Sequence, residues 1–188
     1  MPNTVSNVTY GKPKKTGAVY WAPTGSTLPT DASTALDAAF VCLGYVSEDG
    51  VTNSNSPSSD AIKAWGGDKV LDVTSDKPDE WKLTLIEALN VDVLKAIYGS
   101  QNVTGTLNDG ITVRANSDPN EAACWVIDMI QRNNTMKRVV IPVGTITSLE
   151  DISYKDAEAV AYGITISASP GGASFNYDTH KEYIATAQ

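Results

Sequence analysis

Apolar and polar positions alternate with a period of two through much of the chain, which is the signature of strands with one buried face. Trp81, Leu83 and Leu85 are separated by Lys82 and Thr84, and a half-buried strand is expected there. Residues 17–21 and 41–48 read as further strands, the second covered on both faces because Val41, Leu43 and Tyr45 alternate with Cys42 and Gly44. A helical turn is expected over residues 33–40, and two strands over 61–65 and 69–73 flank Gly66 and Gly67, a pair that supplies the positive φ angles of a tight hairpin turn. The pattern changes once. Asn90 can cap free amides, Asp92 lies in the first turn, Val91, Leu94 and Tyr98 form a stripe, and Gly99 stops the run, so residues 90–98 predict one short helix.

Beyond it the two-residue period resumes at 103–107 and 111–115, around a turn at Asn108, Asp109 and Gly110. Two longer strands, 122–131 and 136–143, are joined through Asn133 and Asn134, residues that tolerate left-handed geometry. In 158–168 Val160, Tyr162, Ile164 and Ile166 share one face, and the small residues Ala159, Ala161, Gly163, Thr165 and Ser167 share the other. The class is all-β, a sandwich or barrel with one short flanking helix. Residues 1–16 and 169–188 lack a clear period and read as extended N- and C-terminal arms, the second anchored by Phe175, Tyr177 and Tyr183, which leaves 17–168 as the domain.

Composition sharpens this picture. With 188 residues, 41% of them hydrophobic, one domain can bury its own core. Fourteen Lys and Arg against 22 Asp and Glu give a net charge of -8, which argues against gripping nucleic acid through phosphates. The charge is uneven: the first arm holds +3, leaving -11 on the remainder, a polarity that favours head-to-tail contact between copies. No basic-then-apolar leader and no 18-residue apolar run occurs, so neither secretion nor membrane anchoring is expected. Cys42 and Cys124 sit among apolar neighbours and read as buried thiols, and Trp21, Trp65, Trp81 and Trp125 read as core.

The search for chemistry yields little. His180 is the one histidine, near the chain end and expected on the surface, so neither a hydrolase triad nor a zinc set can be assembled. Gly66-Gly-Asp-Lys69 lacks the first glycine and the final hydroxyl of a phosphate loop. Scattered loop carboxylates such as Asp72 and Asp76 leave a calcium site open, since hard oxygen ligands need no motif. No enzyme activity and no cofactor is expected. Residues 49–60 are too polar for a core and long for a hairpin loop, which suggests that they meet a partner.

The stretches Thr34-Ala-Leu-Asp-Ala-Ala-Phe40, Leu43-Gly-Tyr-Val-Ser-Glu-Asp-Gly-Val51, Thr52-Asn-Ser-Asn-Ser-Pro57 and Ile62-Lys-Ala-Trp-Gly-Gly67 resemble the major tail tube proteins of long-tailed, non-contractile bacteriophages. The likeness extends more loosely through the Trp81 strand, the helix and Ala161-Tyr-Gly-Ile-Thr-Ile166. It implies a structural virion protein of the tail, assembled in the host cytoplasm, six copies of which close into a hexameric ring whose inner strands form one barrel. The implied partners are the chain itself, a tape measure protein inside the stacked rings, and tail terminator and distal tail proteins; double-stranded DNA then transits without specific binding. Under this resemblance the 49–60 segment bridges one ring to the next through Asn53, Ser54, Asn55, Ser56 and Pro57, and Glu48, Asp49 and Asp60 are the candidate lumen acids. The alternative is a β-sandwich module that binds carbohydrate or a receptor, which an exposed aromatic platform would favour.

Overall fold

The structure, a computed structural model, describes residues 3–186. In chain order its strands are β1 (Lys12–Pro13), β2 (Val19–Pro23), β3 (Val41–Cys42), β4 (Val46–Ser54), β5 (Ser58–Lys63), β6 (Lys69–Asp76) and β7 (Glu80–Leu85), followed by helix α1 (Val91–Tyr98). Then come β8 (Val103–Thr106), β9 (Gly110–Val113), β10 (Ala123–Ile130), β11 (Thr135–Leu149), β12 (Tyr162–Ser169) and β13 (Lys181–Thr186). Nine of them make one antiparallel sheet in the order β3-β2-β10-β11-β12-β7-β4, with β1 added on β10 and β13 on β11; β5-β6 and β8-β9 are separate hairpins.

The organising strand is β11, fifteen residues long. Its first part pairs with β13 from Thr135 to Val140, and its second part pairs with β12 from Val143 to Leu149. Pro142 stands at the hand-over, where a residue without an N–H removes no ladder bond that either partner needs. The sheet therefore works as two half-sheets that share β11: β3-β2-β10-β11-β13 and β11-β12-β7-β4. One core takes Val19, Trp125, Ile127, Val139 and Ile141 from the first half, Trp81, Leu83, Leu85, Tyr162, Ile164 and Ile166 from the second, and Val93, Leu94 and Ile97 from α1. Residues of opposite parity in the central strands, Cys124, Val126 and Val140, enter a smaller core with Ala22, Phe40 and Phe175. Cover on both faces explains why β10 and β11 read as nearly continuous apolar runs. Cys124 is buried, its Sγ donates to the Pro142 carbonyl at 3.1 Å, and burial pushes its thiol pKa up; Cys42, expected to be buried, is only half-buried.

Local chemistry sets the boundaries. Asn90 accepts from the Asp92 amide at 3.0 Å and Gly99 ends the helix at φ +89°, as the sequence predicts. Asn133 and Asn134 both adopt φ +58°, and Gly66 and Gly67 adopt +115° and +98°. Among the described residues no helix is long and apolar enough to cross a membrane.

Several expectations are corrected. The strand predicted over 41–48 is broken between Cys42 and Val46, because Gly44 turns at φ +77° with its α-hydrogen side against the Glu87 carboxylate, where a Cβ would lie 1.9 Å from Cδ. Leu43 goes into the core while Tyr45 is 74% exposed. No helical turn forms over 33–40. Instead, Asp31 accepts from the amides of Ser33 and Thr34, each at 2.6 Å, and from the Thr34 hydroxyl, bonds that hold its carboxyl well below the usual carboxylate range. The segment 49–60, predicted as a loop, is mostly strand, with only residues 55–57 between β4 and β5. Trp65, predicted as core, is fully exposed at the hairpin turn. The two terminal segments read as extended arms lie along the body: Lys12 and Pro13 lie opposite Ile130 and Met129, the Arg132 guanidinium donates to the Val5 carbonyl, and β13 completes a half-sheet.

Candidate functional site

Every residue from Asn55 to Lys77 is exposed, so the β5-β6 hairpin stands off the body. Its ladder places Ile62 opposite Leu71 and Asp60 opposite Val73. Because alternate residues share a face, Ile62, Leu71 and Val73, 52%, 55% and 43% exposed, make one side apolar except for Asp60 at its root end. The other side is polar: Ala61 lies opposite Asp72, Lys63 opposite Lys69, and Lys69 Nζ is 2.7 Å from the Asp72 carboxylate. An isolated two-stranded hairpin is marginal in water. Among the described residues no element covers the side of Ile62, Leu71 and Val73.

The hairpin is fixed at its root by a buried carboxylate. Asp79 accepts from Asn53 Nδ2 at 2.8 Å at the end of β4, and from Thr179 Oγ1 at 2.6 Å just before β13. His180 Nδ1 lies 2.5 Å from the same carboxylate, and with an ionised Asp79 as acceptor that nitrogen holds the hydrogen. Trp81 meets the His180 ring edge-on, with centroids 5.2 Å apart. His180, expected on the surface, is thus half-buried and paired, which sequence reading missed because Asp79 is a hundred residues away. Burial pushes the Asp79 pKa up, but the bonds from Thr179, His180 and Asn53 outweigh it and hold the group below its ordinary value. A depressed folded-state value makes this contribution complete above the ordinary carboxylate pKa, about 3.9, and lost as pH falls below it. Asp79→Asn should therefore lower stability at neutral pH by about 1–3 kcal/mol, since an amide NH2 in place of one carboxylate oxygen would meet at least one of the three donors. Amide exchange of β13 should quicken on acidification in the parent and be fast already at neutral pH in the variant. Unchanged exchange in the variant would show that the cluster does not hold the strand.

A third feature is free sheet edge. β4 pairs with β7 and with no second strand, and β11 beyond Gly144 pairs only with β12. Among the described residues both margins of the β11-β12-β7-β4 half-sheet therefore lack a neighbouring strand, although the Asn120 side chain donates to the Ile146 carbonyl at 3.4 Å. β4 bulges: six of its residues, Val46 to Val51, span only Leu85 to Leu83 on β7. A groove of about 1030 Å³ lies beside this bulge, lined among others by Lys14 and Lys15 of the N-terminal segment and by Glu48, Asp49 and Glu87.

The structure places the sequence-derived candidates apart from one another. Glu48 and Asp49 lie exposed on the β4 bulge, whereas Asp60 lies on the hairpin beside Val73. Asn53 and Ser54 end β4, and Asn55, Ser56 and Pro57 make the bend into β5. Asp72 is paired with Lys69, and no group of three or more His, Cys, Asp or Glu side chains placed to hold a metal ion occurs among the described residues. A buried ion pair was not anticipated. Arg138 Nε and Nη2 donate to both oxygens of Asp128 at 2.7 and 2.9 Å, directly across β10 and β11, while Lys14 Nζ approaches the same carboxylate at 3.5 Å.

Comparison with protein families gives a match between residues 14–177 and a family model described as phage tail tube protein. Comparison with curated proteins gives no match.

Proposed function

The chain belongs to the phage tail tube protein family, and from that premise we propose that its copies close into hexameric rings through the free margins of the β11-β12-β7-β4 half-sheet and stack through the β5-β6 hairpin. The family makes it a structural component of the virion tail that self-assembles into a tube. The observation that supports the stacking role is the hairpin itself, exposed throughout and apolar on the side of Ile62, Leu71 and Val73. The contact first ascribed to Asn53, Ser54, Asn55, Ser56 and Pro57 then belongs to the hairpin as a whole, with these residues at its root and Asn53 held by Asp79.

Ring closure by β4 and the end of β11 would pair backbone groups that otherwise template runaway association, and closed symmetry limits that association in the plane. In this reading the rings stack around a tape measure protein, end on tail terminator and distal tail proteins, are assembled in the host cytoplasm, and later pass double-stranded DNA. Glu48 and Asp49, on the β4 bulge, are the candidate acids beside that path. Electron microscopy of purified protein over a wide concentration range, with and without a tape measure protein, should show six-membered rings and then tubes. Rings of another count would refute the hexamer, and monomers under all conditions would refute self-closure.

A further inference from the structure

Among the described residues no strand lies beside β11 beyond Gly144, yet the backbone of that margin is not bare. The ladder between β10 and β11 ends at Ala123 opposite Gly144, and the chain that leads into β10 meets β11 again through a side chain. Two successive carbonyls are taken in this way. The Trp125 indole nitrogen donates to the Gly144 carbonyl at 3.0 Å. Two residues on, where a strand presents its next carbonyl to the same side, Asn120 Nδ2 donates to Ile146 at 3.4 Å.

The two donors are held very differently. Trp125 is 1% exposed in the larger core, and position 144 requires glycine because a Cβ there would lie 2.7 Å from the indole Cδ1. Asn120 belongs to the polar segment Arg114-Ala-Asn-Ser-Asp-Pro-Asn-Glu121, which is exposed except at Asn120 and sends no side chain into either core cluster. Its anchorage at the other end is polar too. The Arg114 amide donates to the Asn102 carbonyl at 2.8 Å, and the side chains of Asn116 and Asn102 exchange hydrogen bonds at 3.1 and 3.4 Å. A segment held by exposed hydrogen bonds, with no buried apolar contact, opens at low cost.

We propose that segment 114–121 is a strap that guards the β11 margin of the single subunit, with Asn120 standing in for the donor of a missing strand, and that it swings aside before another copy closes on this margin. The inference rests on the ring-closure reading above and adds a control on its rate. An open margin on a free subunit templates uncontrolled pairing, and natural sheets blunt such edges with bulges, prolines and covering loops. Here β4 carries the bulge of residues 46–51, and β11 has the strap, in which Pro119 offers a neighbour no N–H. Closure then waits on strap opening: the bond at Ile146 breaks, and the incoming strand supplies the backbone donor that replaces it.

The test is the assembly rate of the full chain, followed by light scattering with microscopy of the products, for Asn120→Ala and, as a second variant, Asn116→Ala. The first removes the donor at Ile146, and the second loosens the strap at Asn102 without touching β11. Both should form the parent's rings and tubes faster at equal concentration, by about two- to tenfold, the factor that one hydrogen bond is worth. Amide exchange over residues 145–149 of the unassembled subunit should quicken alongside. A parental rate in either variant, folded by circular dichroism, would show that the strap is no barrier, and faster assembly with unchanged exchange would place the effect elsewhere. A slower rate would make the strap part of the contact between copies, and amorphous aggregate in place of tubes would show that it holds the subunit together. Each of these results overturns the inference while tubes of the parent uphold ring closure. If neither parent nor variants form rings at any concentration, the reading and the inference fall together, and if one variant does not fold, the other decides.

Discussion

Tubes should be lost when Ile62→Lys and Leu71→Glu are combined, while the subunit stays folded. The two residues face each other across the hairpin ladder and are each about half exposed, outside both core clusters. Surface substitutions of this kind usually change stability by no more than about 0.5 kcal/mol. Opposite charges are chosen deliberately, because like charges directly across a strand pair would destabilise the hairpin itself and confuse lost stacking with lost structure. In the monomer the new pair is solvated. Stacked against an apolar surface of a second copy, it must be desolvated, and that penalty recurs at every ring. Sedimentation and microscopy should show subunits or single rings at concentrations where the parent forms tubes, with the circular dichroism spectrum and melting temperature unchanged. Lys63→Glu on the polar side is the control and should leave tubes intact. Tubes of parental length from the double variant would mean that the apolar side faces no neighbour.

The parts of the fold legible in the sequence are those where one face is buried. Trp81, Leu83 and Leu85 announce their strand because Lys82 and Thr84 alternate with them, and α1 is announced by its Asn90 cap and Gly99 stop. The β4-β5 region is different. Residues 52–63 are strand for most of their length but nearly all exposed on both sides, so no hydrophobic period marks them, and Asp, Asn, Ser and Pro there imitate a loop. Trp65 shows the limit of residue type as a guide: tryptophan argues burial, yet the neighbouring glycines place this one on a turn in solvent. The hairpin turn could be read, but which of its sides is apolar depends on register, since a bulge skips Val70 between Ile62–Leu71 and Lys63–Lys69. The Asp79 cluster was hidden for the same reason: it is assembled across strands distant in sequence, and Thr179 with Asp79 leaves no local pattern.

Arg138→Ala should be the most damaging single change to the subunit, costing about 3–5 kcal/mol, the range found when one partner of a buried ion pair is removed. Arg138 is 1% exposed and Asp128 3%. Its guanidinium uses both forks: Nε and Nη2 satisfy the carboxylate, and Nη1 donates to the backbone carbonyls of Asp31 at 3.1 Å and Thr34 at 2.8 Å. One side chain thus pins the Asp31 turn, which lies between Leu28 and Leu36 at the edge of the smaller core, to the central strands. For a domain of this size the loss corresponds to a fall of roughly 6–20 °C in melting temperature. Two effects are mixed in that number, an Asp128 carboxylate left with Lys14 alone at 3.5 Å and two uncovered carbonyls, and a second variant separates them. Arg138→Met combined with Asp128→Leu removes the stranded charge, and replacement of a buried pair by apolar residues is often neutral or better. If charge dominates, the double variant recovers most of the lost stability, and only amide exchange near residues 31–34 remains fast. A double variant as unstable as Arg138→Ala would locate the cost in the carbonyls of Asp31 and Thr34, and the buried pair would then serve chiefly to hold the turn over the sheet.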